Sequence, residues 1–205
     1  MTTPELFRKT EKRTFFAHHM LLNVAAIAIK DAAIAIKDAE ASEAGRFNKC
    51  LTAVVMSALA VEALANAVGL RVEKDWPKFK KFEKMSPHKK IDYLAEQLTI
   101  TRDPQQEPWS TLRHIHRFRN RIAHPKPKDV KSDSVLPEAG LTKTAFDTPL
   151  SKFEQCVTLD MALRSYDAVH TLKGLLTDAL PETDRFGIYA DMWEGSVDVD
   201  TESNA

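Results

Sequence analysis

Cysteine is nearly absent. The 205 residues contain two, Cys50 and Cys156, with no CxxC and no Cys paired with His at zinc-ligand spacing, which excludes a disulfide framework and a thiolate metal site. Both are expected to be free, buried thiols in a reducing cytoplasm. Glycine is scarce at six, and alternating β-branched runs are few, which argues against a sandwich or barrel. No stretch of about 20 uncharged apolar residues exists to span a bilayer. The longest apolar run, residues 53–68 (AVVMSALAVEALANAV), is interrupted by Glu62 and Asn66, so no transmembrane helix and no membrane partner are expected. The first residues, MTTPELFR, lack the apolar segment of a secretory signal, and the expected location is the cytoplasm. The length is ample for a buried core, so neither disorder nor a stapled miniprotein is indicated.

Net charge is also absent, at 29 basic against 29 acidic side chains. Taken whole, that balance argues against a nucleic-acid partner. Taken by segment it does not, because residues 71–131 carry 16 basic and 8 acidic side chains and residues 132–205 carry 5 and 14. Such asymmetry points to a polyanion-binding strip with an acidic counterpart.

What is present is helical patterning. The first helix is expected over residues 12–43 and contains a direct repeat, AIAIKDA at 26–32 and again at 33–39. Its alanine content and lack of turn residues favour helix over a period-2 strand. Ile27 with Ile34 and Ile29 with Ile36 then form two stripes about 200° apart, as on a helix that meets both its own core and a second subunit. Gly45 is expected to end it. Residues 48–68 form an apolar central helix closed by Gly69, residues 75–84 a short basic helical turn, and Ser86-Pro87 opens a helix to about Leu98. Residues 109–123 read as helix, with Ile115, Phe118 and Ile122 on the buried face and Arg113, Arg117, Asn120 and His124 on the polar one. Residues 125–149 show no periodicity and form a long connection. A last helix is expected over 150–180, with Phe153, Val157, Met161, Leu163, Val169, Leu172 and Leu176 as core positions. Residues 1–194 are thus expected to be one all-α domain, and 195–205 an acidic, disordered tail.

The densest chemistry lies in residues 113–127, RHIHRFRNRIAHPKP. His114 and His116 project about 200° apart and cannot chelate one metal together, so no metal and no cofactor are expected. Spacings of Arg and His in the form Rx4-6H also occur from Arg13 to His18 or His19, from Arg117 to His124 and from Arg164 to His170. Only Arg119-Asn120-x3-His124 has Asn directly after the Arg, lies at the end of an amphipathic helix and is stopped by His-Pro-Lys-Pro. That stretch resembles the R-polar-x3-H motif of HEPN domains. The apolar helix carrying Glu62 and Asn66 is similar to the family's second helix, and the order of helices is similar over most of residues 12–180. The resemblance implies an antiparallel helical bundle, a homodimer, and a metal-independent endoribonuclease of the toxin or phage-defence kind, with an antitoxin or other regulatory protein as a further partner.

The residues themselves suit that chemistry. A residue before Pro is pushed out of the α region, which frees His124 from ideal helical geometry. Imidazoles titrate near neutrality, so His124 is the candidate to take a proton from a ribose 2′-hydroxyl. Arg119 is the candidate to hold the scissile phosphate in a bidentate fork, and Asn120 to orient the His or the phosphate. In a straight helix Arg119 and His124 point about 140° apart, so a distorted helix end or a second subunit must unite them. Arg113, Arg117, Arg121, Lys126 and Lys128 are candidates to track the RNA backbone without reading sequence. Glu62 and Asn66 fit either a satisfied buried polar pair or a support that orients Arg119. The lysines at 78, 80, 81, 84, 89 and 90 read as a solvated face. Alternatives remain open: a non-catalytic module binding RNA or nucleotides on the same basic surface, or a dimeric scaffold binding a partner protein.

Overall fold

A computed structural model describes residues 7–37, 43–124, 129, 150–188 and 192–199. In chain order the elements are β1 (Phe7–Thr14), α1 (Ala17–Lys37), α2 (Glu43–Val72), α3 (Trp76–Glu83), α4 (Pro87–Gln97), α5 (Trp109–Ala123), a 3-10 turn (Glu154–Cys156), α6 (Leu159–Asp178), α7 (Glu182–Arg185) and β2 (Met192–Val199). The body is helical, as an all-α chain requires. The addition is a two-stranded antiparallel ribbon of β1 and β2, in register from Phe7 opposite Val199 to Thr14 opposite Met192. Residues 12–14, expected at the start of the first helix, are strand, and α1 runs only from Ala17 to Lys37; residues 195–199, expected in a disordered tail, belong to β2. The register sets Arg8 across from Asp198 and Lys12 across from Glu194.

Two compact units are present, one of residues 1–20, 62–101 and 173–205, the other of residues 21–61 and 102–172. In the first, Leu64, Ala65 and Val68 of α2, Phe79 and Phe82 of α3, Ile91, Leu94 and Ala95 of α4, and Leu176, Leu180 and Ile188 are buried. Gly69 does not close α2, which runs on to Val72. The glycine serves packing instead: a Cβ there would fall 2.7 Å from Phe82 Cζ and 2.9 Å from its Cδ1, inside the ring's contact distance. The segment after α6 is tied down by main-chain acceptors, with His18 Nε2 3.1 Å from Ile188 O and His19 Nε2 3.2 Å from Gly187 O. Arg71 donates to Phe186 O over 3.2 Å, and Lys74 pairs with Asp184 at 3.3 Å.

One lysine departs from the solvated face. Lys90 is 2% exposed. Its ammonium donates to Asn66 Oδ1 over 2.8 Å, lies 3.6 Å from Glu62 Oε1 and sits 5.9 Å from the centre of the Phe82 ring. Glu62 and Asn66, one turn apart on α2, thus converge on a buried cation rather than forming a pair by themselves. This also accounts for polar residues in a helix long and apolar enough to cross a membrane, 61% of whose apolar window is buried inside the protein.

The second unit is built on a small-residue face. Ala25, Ala28, Ala32 and Ala35 of α1 are buried, as are Ala53, Val54 and Ala58 of α2, Trp109, Leu112, Ile115 and Phe118 of α5, and Ala162, Ala168, Val169 and Leu172 of α6. Gly45 lies within α2 and does not end α1. The direct repeat is helical as far as Lys37, and its Ile27 and Ile34 stripe faces outward: the two are 62 and 56% exposed, and Val24 before them is 37% exposed. The expected 150–180 helix is shorter at its start. Ser151 Oγ accepts from Glu154 N while Glu154 Oε2 accepts from Ser151 N, a reciprocal box around a single 3-10 turn. Thr158 Oγ1 then accepts from Met161 N and starts α6 afresh. Val157, Val169, Leu172 and Leu176 are buried as expected, whereas Leu163 is exposed. Cys50 is buried and Cys156 half-buried, both as free thiols.

Candidate active site at the end of α5

Trp109–Ala123 is helical over the residues its pattern predicts. Its start is held by Glu107, whose Oε1 accepts from Ser110 Oγ (2.6 Å) and Thr111 Oγ1 (2.8 Å) and whose Oε2 accepts from Thr111 N (3.3 Å). Arg164 of α6 donates to the same carboxylate over 2.9 Å. Partial desolvation pushes the Glu107 carboxyl up, but the bonds from Ser110, Thr111 and Arg164 outweigh it and hold the pKa at about 2, against an ordinary 4.5. A depressed folded-state pKa gives stability that is present above the unfolded value and lost as the group protonates. Thermal unfolding is therefore expected to lose a contribution between about pH 4.5 and about pH 2, and Glu107→Gln to lack that loss. At pH 7 the substitution should cost about 1 kcal/mol, the ordinary worth of a helix-start cap, with the half-exposed Arg164 pairing discounted for solvent screening. An unchanged acid limb in Glu107→Gln would count against this anchoring.

The buried face is Leu112, Ile115 and Phe118, with Ile122 half-buried. Phe118 stacks on Phe153, rings 4.6 Å apart and 16° from parallel. Opposite them Arg113, Arg117 and Arg121 are exposed, Arg113 steadied by its bond to Pro104 O at 2.6 Å. Lys126 and Lys128 lie outside the described residues, as does most of the 125–149 connection.

At the helix end His124 leaves the α region, with φ −133° and ψ 58°, as the following Pro requires. Its backbone N–H still donates to Asn120 O at 3.1 Å, and its side chain is exposed. Arg119 and Asn120 are half-buried, and Arg119 Nη1 lies 3.3 Å from Asn120 Oδ1. Asn120 Nδ2 lies 3.1 Å from His116 Nε2. The structure thus joins Arg119 with Asn120 and adds His116, which sequence reasoning considered only as a metal ligand. The signal for it was present, because His116 and Asn120 are four residues apart and share a helix face. Glu62 and Asn66 belong to the other unit and engage Lys90. Among the described residues no group of three or more His, Cys, Asp or Glu is placed to hold a metal ion. Chemically, the arrangement offers a cationic fork oriented by an amide, an exposed imidazole one turn on, and a row of accessible arginines. Comparison with protein-family models, with curated proteins and with solved structures finds nothing that matches this chain.

Proposed function

We propose that the chain is a HEPN-like, metal-independent endoribonuclease, working in the cytoplasm as a toxin or phage-defence component under an antitoxin or other regulatory protein. The carrying observation is the Arg119–Asn120 hydrogen bond placed one turn before an exposed His124 that has left the helix. In this reading His124 removes the proton from a ribose 2′-hydroxyl, and the resulting oxygen attacks the adjacent phosphorus. Arg119 neutralises charge growing on the phosphate oxygens, where a guanidinium fork outperforms a point charge. The 5′-oxygen departs with a proton from water, leaving a 2′,3′-cyclic phosphate. Arg113, Arg117 and Arg121, with Lys126 and Lys128, hold the backbone on either side. The test is incubation of purified protein with RNA and with DNA of the same sequence in EDTA. Cleavage of RNA alone supports the reading, and strict dependence on a divalent metal sinks it.

The exposed arginine row of α5 by itself supports a second reading, a module that binds RNA or nucleotides without cutting. Binding that weakens steeply with salt, with no product formed, would favour it.

A homodimer belongs to the proposal. Val24, Ile27 and Ile34, together with Asp31, follow a seam of alternating three- and four-residue steps on α1, and the three apolar members face solvent. A second copy presents the same seam, and a two-fold contact is self-complementary. The doubly substituted Ile27→Asp/Ile34→Asp protein is expected to run as a monomer by light scattering at micromolar concentration where the parent is a dimer. A parent that is already monomeric would remove the homodimer, and with it any part of a second subunit in uniting Arg119 with His124.

A further inference from the structure

Asn120 lies between two groups whose chemistry decides which way its amide points. Arg119 Nη1 is 3.3 Å from the Oδ1 end and His116 Nε2 is 3.1 Å from the Nδ2 end. A guanidinium can only donate, so the end of the amide that faces it must be the carbonyl oxygen. The NH2 end can also only donate, so Nε2 of His116 must accept. His116 is thereby fixed as the neutral ring carrying its proton on Nδ1. The other tautomer would set N–H against NH2. Turning the amide over to relieve that clash would set NH2 against the Arg119 guanidinium, so the three side chains hold one arrangement jointly.

We propose that His116 is a positioning residue for this site: as an acceptor it keeps the carbonyl of Asn120 on Arg119, and so holds the guanidinium in the pose that meets the phosphate. The consequence at the phosphate rests on the ribonuclease reading, whereas the fixed tautomer does not. All three members lie on α5, His116 one turn before Asn120 and Arg119 beside it, so a rigid element carries the relay.

The test reads the ring nitrogens of His116 by nitrogen-15 NMR of the full-length protein at about pH 8, above the ordinary imidazole range. The expected spectrum shows a protonated Nδ1 and an unprotonated Nε2, and Arg119→Met should mix the two tautomers by letting the amide turn. A protonated Nε2 in the unsubstituted protein overturns the proposal and needs no variant to fold. Kinetics supply the second arm. His116→Leu is expected to lower kcat for RNA roughly 10- to 100-fold with KM nearly unchanged. His116→Gln keeps an acceptor within reach of Asn120 and should recover most of the loss. Equal defects in the Leu and Gln variants would overturn the positioning role. The predicted tautomer in a protein that cuts no RNA would uphold the relay and remove the ribonuclease reading.

Discussion

Replacing His124 with alanine is expected to lower RNA cleavage by roughly 10²- to 10⁴-fold, the ordinary worth of a general base. The structure makes this a clean substitution. His124 is exposed at the end of α5, and its backbone N–H, which Ala retains, is what continues the helix to Asn120 O. Exposed changes of this kind usually move stability by less than about 0.5 kcal/mol, so a large loss of rate cannot be ascribed to unfolding. Arg119→Lys is the companion variant, because it keeps the charge and loses the planar fork; it should reduce kcat while leaving RNA binding largely intact. Cleavage persisting in His124→Ala would overturn the assignment of the base.

The second large effect concerns folding. Lys90 is a buried ammonium held by Asn66 at 2.8 Å and Glu62 at 3.6 Å. Removing one partner of a buried charge leaves it uncompensated and typically costs about 3–5 kcal/mol. Asn66 is neutral and the counter-charge Glu62 remains, so Asn66→Ala removes a hydrogen bond to a charge and is expected to cost about 2 kcal/mol. Lys90→Met, which removes the charge and keeps the stem, should be close to neutral or stabilising by about 1 kcal/mol or more. Urea unfolding of the two variants decides it. Lys90→Met falling below Asn66→Ala would show that the ammonium contributes more than its burial costs.

These two sites differ in how far the sequence exposes them. The end of α5 is legible because its causes are local: an amphipathic repeat, arginines on one face and a His-Pro stop that pulls the backbone out of the helix. The same holds for α3 and α4, where Pro and Ser mark the start. The Lys90 cluster is not local. A lysine among five others reads as surface, and the groups that bury it stand 24 and more positions upstream on another helix. The start of α6 was hidden differently, since Phe153 and Val157 keep helical spacing while the Ser151–Glu154 and Thr158 caps interrupt it. His116 is legible too: it fails the geometry of a metal ligand with His114, but it stands four residues from Asn120 on the same helix face. The outward Ile27 and Ile34 stripe was legible as one of two stripes.

The ribbon of β1 and β2 was the least legible element, because β1 does not alternate apolar and polar residues, β2 does so only over its last four, and each pairs with a strand more than 170 residues away in sequence. That separation has a consequence during synthesis. Contacts of the longest range form last, and at roughly 5–20 residues per second a ribosome needs on the order of ten seconds to deliver β2 after β1. Throughout that interval β1 is a strand sequence with no partner, the condition that invites pairing between neighbouring nascent chains. Its residues, FRKTEKRT, carry the protection usual for such edges, a concentration of Lys and Arg that makes two copies repel one another.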